Sequence, residues 1–210
     1  PNKGGMVRTI RILTVGAGLV LALAGRCPAT DFDAYKPDKT GAADVSPLLQ
    51  AAMQDAVKSD ACLTIRPGRY LVAKPVALPS HLAVVAPEGA TLVGTKETDI
   101  FQCRRNQGNR IEGLAFRTCR TGIAALPPGD GYFATAHVTN CSFGDCDAGI
   151  AADCIQSCTF DLCRFGNCRR VIHPYRVGVQ FLHHVAHQAA PAQQVTAQLL
   201  HELLEPRLAL

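Results

Sequence analysis

The sequence predicts an all-β fold, with short strands stacked as the coils of a parallel β-helix. Three observations predict it. After one helical segment, the 210-residue chain continues as short apolar stretches broken by Pro and Gly, with no helices between them. Three segments of the second half repeat one another in Phe, Cys and Gly. The composition agrees: 48% apolar and 18% charged residues suit one globular domain, and 18 Gly, 13 Pro and no Trp suit many turns around thin, repetitive structure.

The chain opens with a leader pattern. Met6, Arg8 and Arg11 precede an uncharged apolar run of 14 residues, Ile12 to Gly25, which is followed by Arg26 and Cys27-Pro28-Ala29. This order predicts a secretory signal over residues 1–29 and a secreted or periplasmic protein that meets a membrane only through that leader. The run is shorter than the ~20 apolar residues of a spanning helix. Lys3, Arg8, Arg11 and Arg26 are the only charges before Asp31, so the formal net charge of +4 falls to balance, 17 basic against 17 acidic residues, without the leader. A neutral chain presents no polycation to phosphate, which argues against nucleic acid as a partner.

The next element is a helix. Ser46 can cap it, Pro47 suits its first position, and Leu49, Ala52, Met53 and Ala56 recur at helical spacing, ending near Ser59-Asp60. Strands are then expected at 62–65, 70–72, 81–85 and 91–93, divided by Pro67-Gly68, Pro75, Pro79, Pro87 and Gly89.

The repeats follow. IEGLAFRTCRTGI from 111, VTNCSFGDCDAGI from 138 and IQSCTFDLCRFGN from 155 align Phe116 with Phe143 and Phe160. The same alignment sets Cys119 with Cys146 and Cys163, and Gly122 with Gly149 and Gly166, at offsets of 27 and 17 residues. A coil of this size cannot bury its apolar side alone, and stacking turns each column into a ladder of like residues about 4.8 Å apart. Cys acts there as a small hydrophobe, although that spacing also admits disulfides between coils. Cys154, Cys158, Cys163 and Cys168 lack the paired two-residue gaps of a zinc site, and no metal site is expected. Arg120, Asp147 and Arg164 alternate outward beside the Cys column as a charge ladder. A second register is visible in the five-residue units CSFGD from 141, CTFDL from 158 and CRFGN from 163, which over this segment resemble those of pentapeptide-repeat proteins.

The run DFDAYKPDKTGAADVSPLLQAAMQDA from Asp31, then LTIRPGRYLVAKPVALPSHLAVVAPEGATLVG from Leu63, resembles the opening of the pectate-lyase-like superfamily, which contains rhamnogalacturonases, polygalacturonase-type hydrolases, sugar epimerases and phage tailspikes. Asp33 stands where that family has Gly, and Asp44-Val45-Ser46 replaces its double Asp with Thr, whereas Arg66-Pro67-Gly68-Arg69-Tyr70 keeps its turn. The resemblance implies a right-handed β-helix over residues 30–180 with the helix near 46–59 capping its open end. It leaves room for about five coils of roughly 22–25 residues. The segment 181–210, with Val195, Leu199, Leu203 and Leu204, suggests a terminal helix.

By the same resemblance the partner is a polysaccharide, and an acidic one is expected. Hydrolysis would need two carboxyl groups, for which Asp145, Asp147, Asp153 and Asp161 are the candidates, with Asp153 as the acid. Elimination would need a base, with Arg or Ca²⁺ neutralising a uronate carboxylate. Arg164, Arg169, Arg170 and Arg176 are candidates to bind the sugar, and His173 to act as acid or base. The cofactor stays open, Ca²⁺ entering only with elimination. The alternative is a non-catalytic carbohydrate-binding or structural β-helix, a shortened member of the family.

Overall fold

Stacking fixes the architecture. The computed structural model describes residues 28–125, 132–152 and 154–174, and shows an all-β, right-handed parallel β-helix of about five turns. The five-stranded sheet counts the turns, with Val76–Ala77, Asp99–Cys103, Thr121–Ala125, Ala148–Ala152 and Arg170–Pro174 lying in parallel. A ten-stranded sheet wraps the adjoining walls and a three-stranded sheet closes the later coils. The leader residues up to 27, the segment 181–210, Asp153 and Arg176 lie outside the described residues. The first rung, Ala29–Asp31, already pairs with Cys62–Thr64. No helix among the described residues is long and apolar enough to cross a membrane.

In the last two coils two successive walls are each five residues long. Left-handed backbone recurs at Thr135, Asn140 and Asp145, then at Ser157, Leu162 and Asn167, with φ between 49° and 56°. Each such corner in an L-residue costs roughly 1–2 kcal/mol, and short polar side chains ease it. Hydrogen bonds between coils offset that strain: the Thr135 and Asn140 amides donate to the carbonyls of Gln156 and Asp161, both at 2.9 Å. The pentapeptide-like spacing is therefore real as wall geometry.

The observed ladders correct one expectation. Phe116 pairs with Phe143, as the repeats predict, but Phe143 pairs with Phe165, not Phe160. Phe160 instead stacks on Val138 and Ile111, one wall earlier. CTFDL and CRFGN resemble each other at a distance of one wall, so the alignment slipped by five residues. The true register sets Cys168, not Cys163, over Cys146, and Arg169, not Arg164, over Asp147. Cys163 continues the column of Leu114 and Cys141. The expected charge ladder is also rearranged, because the Arg120 guanidinium binds Asp99 on the coil below.

The Phe116, Phe143 and Phe165 rings stack at 4.9 and 4.8 Å with interplanar angles of 4° and 7°. Gly122 and Gly149 make the room: a Cβ at Gly122 would stand 2.7 Å from the Phe143 ring and 2.8 Å from the Gly149 carbonyl. Below this stack, Asn106 and Asn109 are buried and donate their amides to the Leu78 and Pro79 carbonyls, both at 2.6 Å, tying the third coil to the second.

At the first coil, the residues that carry the family resemblance have structural roles. Asp31 pairs with Arg66 at 3.0 Å, and buried Phe32 packs on the Tyr70 ring at 5.5 Å. Burial pushes the Tyr70 phenol up to about 12, and its hydroxyl donates to the Arg66 carbonyl at 2.8 Å. Asp38 accepts from the Ala43, Thr40 and Ala42 amides and the Thr40 hydroxyl, which brings its pKa to about 2. The helix spans Ser46–Lys58, but Val45 occupies the cap position and Ser46 is already helical. Asp44 accepts from the Ser46 amide at 2.9 Å, from the Ser46 hydroxyl and from the Ala73 amide at 3.0 Å, and the Ser46 hydroxyl in turn accepts from the Lys74 amide at 3.0 Å. Leu49, Ala52, Met53 and Ala56 are all buried over the end of the core. The expected cap is in place.

Asp99 is fully buried, which alone would raise its pKa, but bonds from Arg120, Gln102 and Thr121 outweigh burial and hold it below 3.8. A lowered folded pKa gives stability that is present above the ordinary carboxylate value and lost as pH falls through the folded one. Asp99→Asn is expected to be less stable than the parent at neutral pH. The difference should narrow below about pH 4 in denaturant titrations at a series of pH values. Gly122→Ala should destabilise by roughly 1–3 kcal/mol in urea unfolding. Gly166→Ala, whose Cβ would meet nothing within 4 Å, should stay within about 0.5 kcal/mol of the parent.

Candidate functional site

Alternation along a strand sends every second residue outward, and the wall formed by Ser142–Gly144 and Arg164–Gly166 does this beside Arg117 of the coil below. Gly166 leaves the outer wall bare while Arg117 covers Gly144, and a cleft of ≈ 360 Å³ opens there, lined by Arg117, Ser142, Phe143, Asp145, Arg164 and Asn167 with the two glycines. Its floor is backbone and its rim is polar.

Arg117 is held in place. Its guanidinium donates to the Phe116 carbonyl and to the Ser142 hydroxyl, each at 3.0 Å, and lies against Gly144, where an added Cβ would stand 3.0 Å from Nη1. Arg164 sits directly above Ser142 and is exposed. At the corner, the Asn167 amide donates to the Asp145 carboxylate at 2.5 Å. Two guanidinium groups, that of Arg117 held by hydrogen bonds and that of Arg164 exposed, with one carboxylate engaged by an amide, present donors of the fork type that suits a carboxylate or sulfate ligand.

Of the residues singled out by sequence, the structure brings Asp145 and Arg164 into this cleft. Asp147, Arg169 and Arg170 are exposed around the next corner, with Arg170 leading the last strand of the five-stranded sheet. His173 lies in that strand with its backbone in register with Ala151. Arg117, Ser142 and Asn167 were not foreseen. Only the correct register reveals them, because it stacks Arg164 on Ser142 and Asn167 on Asp145. Among the described residues, no group of three or more His, Cys, Asp or Glu is placed to hold a metal ion.

The fold is similar to that of the tailspike protein of Acinetobacter phage vB_ApiP_P1, at 22% identity and a TM-score of 0.57, over 67% of this chain. The chain spans 27% of the length of that tailspike. Weaker similarities reach the tailspike of Acinetobacter baumannii phage AM24, at 15% identity and TM-score 0.42 over 66% of this chain and 32% of that one. They also reach PfbA, a surface adhesin of Streptococcus pneumoniae, at 17% identity and TM-score 0.42 over 65% and 38%. The first of these carries the likeness of fold. No family model and no curated protein matches the sequence.

Removing the Ser142 hydroxyl takes away one of the two bonds that orient Arg117. Ser142→Ala should therefore leave unfolding unchanged within about 0.5 kcal/mol. Arg117 should become mobile, seen as loss of a slowly exchanging guanidinium Nη–H signal by NMR.

Proposed function

We propose that this chain is an exported, pectate-lyase-like β-helix that binds an acidic polysaccharide across the stacked wall of its last coils. The observation that carries the reading is the cleft in which Arg117 and Arg164 stand beside the exposed Gly166. The glycine leaves room for a sugar ring to approach the wall, and a planar, permanently charged guanidinium suits a uronate carboxylate. Two further features support it: the opening motif that resembles the superfamily, and the β-helix fold shared with a phage tailspike.

Binding is favoured over cleavage by the chemistry of the cleft. Glycoside hydrolysis uses two carboxyl groups about 5–9.5 Å apart. Among the described lining residues Asp145 is the one carboxylate, and Asn167 already engages it.

Isothermal titration against polygalacturonate, alginate and a neutral galactan tests this. The acidic polymers should bind, with affinity falling as salt screens the guanidinium groups, and the neutral one should not. The double variant Arg117→Ala/Arg164→Ala should lose most of that affinity while keeping its unfolding midpoint. Neutral and acidic polymers binding alike, or an unaffected double variant, would overturn the reading. New reducing ends or the ultraviolet absorbance of an unsaturated uronate would replace binding with catalysis.

A further inference from the structure

Beyond glycan binding, one cluster in the core has chemistry that packing does not use. The eight cysteines among those described with their side chains are thiols, and most are inert. Burial pushes Cys103 and Cys141 up to about 12 and Cys163 up to about 11. Cys141 and Cys163 stack on successive coils, yet their sulfurs turn to backbone carbonyls, Cys141 to Thr139 at 3.4 Å and Cys163 to Val138 at 3.3 Å.

The column of Cys119, Cys146 and Cys168 is different. The correct register places the three thiols on successive coils, and the Cys119 and Cys146 sulfurs face each other at 3.0 Å. That is closer than two sulfurs rest without a shared proton or a bond. Hydrogen bonds from Cys119 and then Cys168 hold the Cys146 thiol well below its ordinary pKa, and the same bonds push its two neighbours up. Cys119 and Cys146 are 1% and 3% exposed, whereas Cys168, on the outermost described coil, is partly open to solvent.

We propose that Cys119, Cys146 and Cys168 form a thiol relay that takes oxidation from the surface and ends as a buried Cys119–Cys146 disulfide, locking the third coil to the fourth. The oxidant is a small disulfide of the glutathione type. Cys168 passes its proton to Cys146 across their hydrogen bond and attacks the oxidant as the thiolate, forming a mixed disulfide and releasing one thiol of the oxidant. Cys146 then attacks Cys168 Sγ, forming Cys146–Cys168 and releasing the second thiol. Cys119 attacks Cys146 Sγ, forming Cys119–Cys146 and returning Cys168 to its thiol. In total, two protein thiols give up two protons and two electrons, and one small disulfide becomes two thiols. Adjacent parallel strands, about 4.8 Å apart, lie within the Cα range of a disulfide. The final bond is the most buried of the pairings available to the column and hence the least open to reductant.

The test is to incubate the folded protein with glutathione disulfide, alkylate the remaining thiols and map linked peptides by mass spectrometry over time. The expected result is a loss of two thiols per chain, an early Cys146–Cys168 link and a final Cys119–Cys146 link with Cys168 alkylated. Cys168→Ser should slow the reaction on the order of tenfold, because the exposed entry point is gone. In Cys119→Ala the reaction should stop at Cys146–Cys168; should that variant not fold, the time course of the parent decides. Links involving Cys62, Cys103, Cys141, Cys158 or Cys163 in place of the column, absence of any link, or an undiminished rate in Cys168→Ser would overturn the proposal.

Discussion

The whole molecule depends on coils lying in register, each inward residue resting on its counterpart one layer below. No single coil encloses enough apolar volume to be stable, so neighbouring coils complete each other's core. Three parallel columns show it: Leu63, Val84, Ile111, Val138 and Phe160; Tyr70, Leu92, Phe116, Phe143 and Phe165; Val76, Phe101, Ile123 and Ile150. Where a large ring is stacked, the facing column must shrink to glycine, as at Gly122 and Gly149. Where polar Asn106 and Asn109 enter the core, their amides are bound to carbonyls of the coil below. The same register that builds the core sets the outer face, since Arg164 meets Ser142 and Asn167 meets Asp145 only in that alignment.

Among the described residues the first coil has the helix and no further coil beneath it, and this explains the residues that carry the family resemblance. Asp31, Asp38, Asp44, Arg66 and Tyr70 tie the opening loop, the helix and the first turns together through hydrogen bonds and ion pairs. Such a motif specifies how a β-helix starts and says little about the reaction it hosts. The proposed glycan cleft lies on the later coils, on walls the motif does not reach.

Much of the fold was legible because its physics is periodic. The ladders of Phe116 with Phe143, Cys119 with Cys146 and Gly122 with Gly149 were read from a 27-residue offset, and the cap helix from its spacing and proline. The third repeat was misplaced because one wall echoes the next: CTFDL and CRFGN are alike, and similarity alone cannot tell a step around the coil from a step up it. The site suffered most from that slip. Asp145 and Arg164 were picked for their charge, but Arg117, Ser142 and Asn167 become neighbours only once the register is right. Ser46 carries a hydroxyl of the usual capping type, yet Val45 occupies the cap position and the Asp44 carboxylate takes the Ser46 amide from two residues earlier.

Ring-to-ring nuclear Overhauser contacts in phenylalanine-labelled protein test the register most directly. The account predicts contacts between Phe116 and Phe143 and between Phe143 and Phe165, the latter pair with centroids 4.8 Å apart. A contact of Phe143 with Phe160 in place of Phe165 would contradict it, and would dissolve both the cleft and the thiol column.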